Sequence, residues 1–208
     1  DAESLETARL ALGRIVEYPR WDYFLEGGRQ VIGLQRAPEG TIAVCCALDW
    51  IGDKLPADLV AQAERDLGTK GAPACYTTLY GMKYPDRVRG WSFHPEQSIP
   101  MTIDFRRWPI ILNATNLKII PTAALGIVAV WLMDRHPEAR KWLEMSRQSA
   151  QAFSIMYGSD GSYDEGVGYW GYTTMHLAML AEVLHRRLGI DDRKLIDYSG
   201  SVRFALHM

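Results

Sequence analysis

The stretch DGSYDEGVGYWGYTTMHLAMLAEVLHRRLG, residues 160–189, decides how this chain is read. Its second half is helical by period. Leu177, Leu180, Leu184 and Leu188 fall on one face, and Gly189 closes the run. Its first half is a glycine-rich turn crowded with carboxylates and aromatic rings. A hairpin between two helices uses the glycines, but it does not need the tyrosines and acids. Tyr169, Tyr172 and His176 stand at i, i+3 and i+7, so a helix that starts here carries them on one stripe in its first turns. Gly166 and Gly168 let backbone approach a ligand closely. The free N–H groups and dipole of the helix start favour an anion. Asp160, Asp164 and Glu165 oppose that, unless they cap the turn or pair with Arg106 or Arg107.

Working outward, the period is helical nearly throughout. ESLETARLALGRIVEY places Leu5, Ala8, Leu12, Ile15 and Val16 on one stripe, and Pro19 follows. EGGRQVIGLQRAPEG is turn-rich; it either holds a short strand or crosses the surface. TIAVCCALDWIGDKL is a second helix. Pro56 opens a third at the favoured first position, and Gly68 and Gly71 interrupt it before APACYTTLYGMK. From Tyr84 to Asn116 the period is lost, and ordered loops of that length are often functional. Helical patterns return in KIIPTAALGIVAVWLMDRH, in PEARKWLEMSRQSAQAFSIMY and at the C-terminal DRKLIDYSGSVRFALHM. The expectation is an all-α chain of antiparallel hairpins in a double-layered array, a toroid or a solenoid, forming one domain over residues 1–208. Both ends fall inside helical patterns, which suggests a piece of a longer protein.

Composition narrows the function. A net charge of −2 argues against an electrostatic nucleic-acid binder and leaves only a local basic patch at Arg106 and Arg107. The longest apolar run, Ile119 to Met133, falls short of the ~20 residues of a membrane span. The three cysteines, Cys45, Cys46 and Cys75, match no zinc spacing and no disulfide framework. They read as buried thiols.

A second polar group enters the apolar helix at RRWPIILNATN. Asn113, Thr115 and Asn116 are all good N-cap types, and one of them caps the helix in the plainest reading. Two amides and a threonine exceed what one cap requires. Asn113-Ala114-Thr115 is also a glycosylation sequon. His94 lies in the long loop, while His136, His185 and His207 read as surface or terminal positions.

These motifs, in this order, resemble the heparinase II/III-like polysaccharide lyases, which include alginate and oligo-alginate lyases. DGSYDEGVGYWGY is similar to that family's acid-glycine hairpin with a downstream tyrosine. TNLKIIPTAALGIVAVWL is similar to its asparagine-led helix, and AVCCALDWIGDKLPADL to an earlier hairpin. The resemblance runs from about Ala2 to Leu188. It implies an (α/α) toroid or part of one, a periplasmic or extracellular setting, no cofactor and no metal, and β-elimination on an acidic polysaccharide. The family's carboxy-terminal β-sandwich and a further active-site histidine would lie beyond Met208. By position, Asn116 matches the asparagine that neutralises the substrate carboxylate and Tyr169 the catalytic tyrosine, with Tyr172 next in register. Arg106, Arg107, Trp108, Asn113, Glu165, Trp170 and His176 complete the expected substrate-binding set. Where the family has a second asparagine or a histidine, this chain has Leu117-Lys118, and Lys118 is a possible charge neutraliser.

The chemistry asks for this inventory. The proton leaving C5 of a uronate is barely acidic until donors neutralise the neighbouring carboxylate. A tyrosine or histidine then takes it. Two other readings compete. A glycan-binding relative would stack sugars on Trp91, Trp108 and Trp170 without catalysis. A glycoside hydrolase would use Asp160 and Glu165, which must face each other across ~5–9.5 Å; two acids in one turn rarely do.

Overall fold

The computed structural model describes residues 1–93 and 107–208. In chain order the elements are α1 (Ala2–Glu17), β1 (Phe24–Glu26), β2 (Gln30–Ile32), α2 (Arg36–Ile51), α3 (Ala57–Asp66), α4 (Ala72–Lys83), β3 (Trp91–Phe93), α5 (Trp108–Ile111), α6 (Asn116–Trp131), α7 (Ala139–Phe153), α8 (Val167–Leu188) and α9 (Tyr198–Leu206). The protein is mostly helical, as the periodicity implies. The turn-rich segment resolves into a hairpin: β1 pairs antiparallel with β2 and, on its other edge, with β3. Gly68 and Gly71 do not break the chain. A π-helical turn over Leu67–Gly71 carries α3 into α4. Pro56 is the N-cap of α3 rather than its first helical residue.

α6 is the hub. All its residues except Leu117, Val130 and Trp131 are buried. It is so apolar because α2, α4, α7 and α8 all pack on it. Its contact with α7 is lined by small residues and polar pins: Thr122 Oγ1 meets Ser149 Oγ at 2.7 Å, and Ser146 Oγ donates to the Thr122 carbonyl at 2.6 Å. Gly126 lets α6, α7 and α8 meet, since a Cβ there would lie 2.4 Å from Leu180 Cδ1 and 2.5 Å from Ser146 Oγ.

Contacts fix the helix directions. Tyr172 bonds Glu39 and, farther along both helices, Arg187 pairs with Asp49, so α2 and α8 run the same way. Glu165, just before α8, reaches Asn116, and Leu180 reaches Gly126, so α6 runs with them. Lys141 lies over Tyr76 and Lys83 bonds Gln148, so α4 and α7 run together. Ser146 and Ser149 meet Thr122 in the order that sets α7 against α6. The starts of α2, α6 and α8 therefore lie at one end of the molecule.

Among the described residues no single helix is long and apolar enough to cross a membrane. A bent pair, residues 108–114 and 116–131, meets that test only jointly, across an 85° bend. The burial of α6 among four helices accounts for its composition.

Candidate active site

Each of the three parallel helix starts exposes N–H groups that need acceptors. At α2 the acceptor is Asp22. Its buried carboxylate takes the N–H groups of Leu34, Gln35 and Ala37 at 3.0, 3.2 and 3.3 Å. Burial raises its pKa above the ordinary value, against the pull of these donors. At α6 the expected local cap is absent. Thr115 is the N-cap residue, but its hydroxyl donates back to the Leu112 carbonyl, and no side chain of the segment caps the helix. The acceptor comes from another hairpin: Glu165 Oε2 takes the Asn116 N–H at 2.9 Å. Local propensity lost here to a tertiary contact that places a full negative charge at the positive end of the helix dipole. At α8, Gly166 is the N-cap, with φ +95°, and no side chain among the described residues caps the start.

Tyr169 sits in that uncapped first turn. Its side chain is free of protein hydrogen bonds among the described residues, and the residue is 55% exposed. Tyr172, one turn on, donates to the Glu39 carboxylate of α2. Burial and that carboxylate push its hydroxyl well above the ordinary tyrosine value, away from service as a base. His176 is buried, with Nδ1 2.7 Å from the Tyr172 carbonyl and its ring 4.4 Å from the Tyr172 ring. A carbonyl only accepts, so Nδ1 carries the proton of this bond.

Asn116 is buried on the first turn of α6. Its side chain has no hydrogen bond among the described residues. Lys118, two residues on, is only 7% exposed and has neither ion pair nor hydrogen bond to its ammonium among the described residues. Burial lowers its pKa below the ordinary lysine value.

Asp160 and Glu165 hold the turn, as their place in it allows, together with Tyr163, Tyr157 and Gly161, which the sequence pattern does not single out. Tyr163 donates its hydroxyl to Glu165. Its ring stacks on Tyr157 at 4.9 Å, and both pack on Phe153. Burial pushes the Tyr157 hydroxyl up to about 12. Gly161, at φ +81°, brings the turn against α9, where a Cβ would lie 2.2 Å from the Ser201 nitrogen. Asp160 accepts the Ser162 N–H at 3.0 Å and serves its own turn. The signal for Tyr163 and Glu165 was present as two functional groups two residues apart, but their target lies in a distant hairpin.

Other expected residues fall elsewhere. Trp91 is 3% exposed and offers no face to a sugar, which overturns stacking there. Trp170 turns its Nε1 to Ser201 of α9 at 2.7 Å. Trp108 packs on Phe24 with ring centroids 5.8 Å apart. Asn113 and Arg107 are exposed, and Arg107 is the N-cap residue of α5. Arg106 and His94 lie outside the described residues. Cys45 and Cys75 are buried free thiols, as expected, whereas Cys46 is only half-buried. Among the described residues no group of three or more His, Cys, Asp or Glu side chains is placed to hold a metal ion.

No protein-family model, no curated protein and no solved structure matches this chain.

Proposed function

We propose that this chain is the helical, toroid-type part of a polysaccharide lyase that cleaves uronic-acid-containing glycans by β-elimination. One observation carries the reading: Glu165 ties the turn before Tyr169 to the start of α6, so Tyr169, Asn116 and Lys118 belong to one end of the protein. Protein carboxylates cap α2 and α6, while no side chain among the described residues caps the start of α8. A substrate carboxylate is the anion that such a helix start favours.

In the proposed reaction Asn116 and Lys118 stabilise the negative charge that builds on the uronate carboxylate. Tyr169 takes the C5 proton. The C5–H electron pair becomes the C4–C5 double bond, the C4–O bond breaks, and the leaving oxygen receives a proton from Tyr169. Tyr172 positions the stripe through Glu39 and does not exchange protons. No cofactor enters the scheme.

The test is incubation with alginate, heparin, heparan sulfate and hyaluronan, followed by the ultraviolet absorbance of the unsaturated uronate. Hydrolysis makes no such chromophore. Binding without any chromophore on all four would overturn catalysis and leave a glycan-binding relative.

A further inference from the structure

A cleft of about 530 Å³ opens between α4, the start of α7 and the loop through Arg87 and Arg89. Small-ligand sites commonly span roughly 300–1,000 Å³. None of its lining residues belongs to the Asn116–Tyr169 group. Its floor follows from a repeat in α4. Tyr76, Tyr80 and Tyr84 recur every fourth residue and form a ladder, with ring centroids 6.1 and 5.1 Å apart. The first two line the cleft, and both are only partly buried.

The charges are arranged unevenly. Two carboxylates stand in the wall, and each is already engaged. Glu26 accepts the backbone N–H of Arg89, and Glu138 accepts from Lys141 at 2.6 Å. Neither bonds a guanidinium. Arg87 lies over the Tyr84 ring at 4.7 Å and is engaged by the Tyr80 hydroxyl, whereas Arg89 has no hydrogen bond or ion pair from its side chain among the described residues. Both arginines are exposed, and neither has a carboxylate partner among the described residues. Two exposed guanidiniums without a carboxylate partner among the described residues, beside a row of tyrosine rings, suit a ligand with carboxylates on rings that have an apolar face. The rings pack on tyrosine, and the forks of arginine match carboxylates.

We propose that this cleft is a second binding site for acidic sugar chains, with carboxylates on Arg87 and Arg89 and sugar rings along the tyrosine ladder, beside the Lys141 ammonium that lies over Tyr76. The choice of sugar over another ringed anion rests on the lyase reading above. A site away from the reacting end would hold a long polymer between cleavage events and lower the chance of its escape.

The experiment counts sites calorimetrically in the Tyr169→Phe protein, which leaves the ligand whole. The probes are an alginate tetrasaccharide, uncharged cellotetraose and an oligo-dT of similar length. Arg87→Gln with Arg89→Gln is expected to remove one alginate site, or to weaken it about tenfold or more. Arg9→Gln with Arg14→Gln, which removes two charges from α1, is expected to leave the count unchanged. An unchanged count in the Arg87/Arg89 protein, equal loss in the α1 protein, or equal binding of cellotetraose or oligo-dT at the cleft would overturn the proposal. Chromophore formation by the wild-type protein is followed separately. Its absence, with the Arg87/Arg89-dependent site intact, counts against the lyase reading and leaves the cleft standing.

Discussion

Glu165 caps a helix that begins 49 residues earlier: its carboxylate accepts the Asn116 N–H at 2.9 Å while Tyr163 donates to the same oxygen. One side chain thus joins the turn before α8 to the hub helix. Glu165→Ala should cost about 1–2 kcal/mol, the usual range for losing a cap and a charge at a helix start. Glu165→Gln keeps an acceptor and should cost less. Urea unfolding of the three proteins checks this, and equal midpoints would remove Glu165 from the role.

Tyr169 and Tyr172 should separate kinetically. Tyr169→Phe is expected to abolish chromophore formation with glycan binding retained. Tyr172→Phe loses only its bond to Glu39 and should keep measurable turnover. A fully active Tyr169→Phe protein would sink the assignment of the base.

Lys118 should be a burden on stability that the site retains for its charge. Because burial lowers its folded pKa, the unfolded chain binds more protons between the lowered and the ordinary lysine values. Stability therefore rises with pH through that window. Lys118→Met should unfold at higher urea than wild type near neutral pH, and the gap should narrow as pH approaches the ordinary lysine range. The same variant should lose elimination. Wild-type activity in Lys118→Met would show that the ammonium does not meet the substrate.

Gly126 should tolerate no side chain. Gly126→Ala puts a methyl against Leu180 and Ser146 and should destabilise by about 1–3 kcal/mol through overpacking. Thermal unfolding reads it directly; a wild-type Tm would mean that α8 can shift away from α6 at no cost.

Asp22 offers a test of the other cap. Asp22→Ala leaves the buried N–H groups of Leu34 and Ala37 without their acceptor and should cost about 2–4 kcal/mol, since unsatisfied buried donors are penalised individually. A loss well below that range in chemical denaturation would mean that water replaces the carboxylate.

The sequence by itself determined the helices. Leu177, Leu180 and Leu184 repeat at the helical period and are buried in α8, while Leu188, the fourth of that stripe, is exposed at its end; the near-continuous apolar run of α6 marks it as a buried helix. Gly189 ends α8 in the left-handed conformation its type favours. These are local outcomes of period, propensity and capping chemistry. Only the tertiary structure decided who caps whom. Asn113, Thr115 and Asn116 all looked able to cap α6, and the cap is Glu165. Trp91 and Trp170 looked like sugar platforms, and packing turned one into the core and the other to Ser201. The cleft beside Tyr76 and Tyr80 joins α4 to α7 and to a loop, and no short window of sequence contains it. Backbone period is set by neighbours a few residues away, whereas the fate of a polar side chain depends on which distant group arrives within about 3 Å of it.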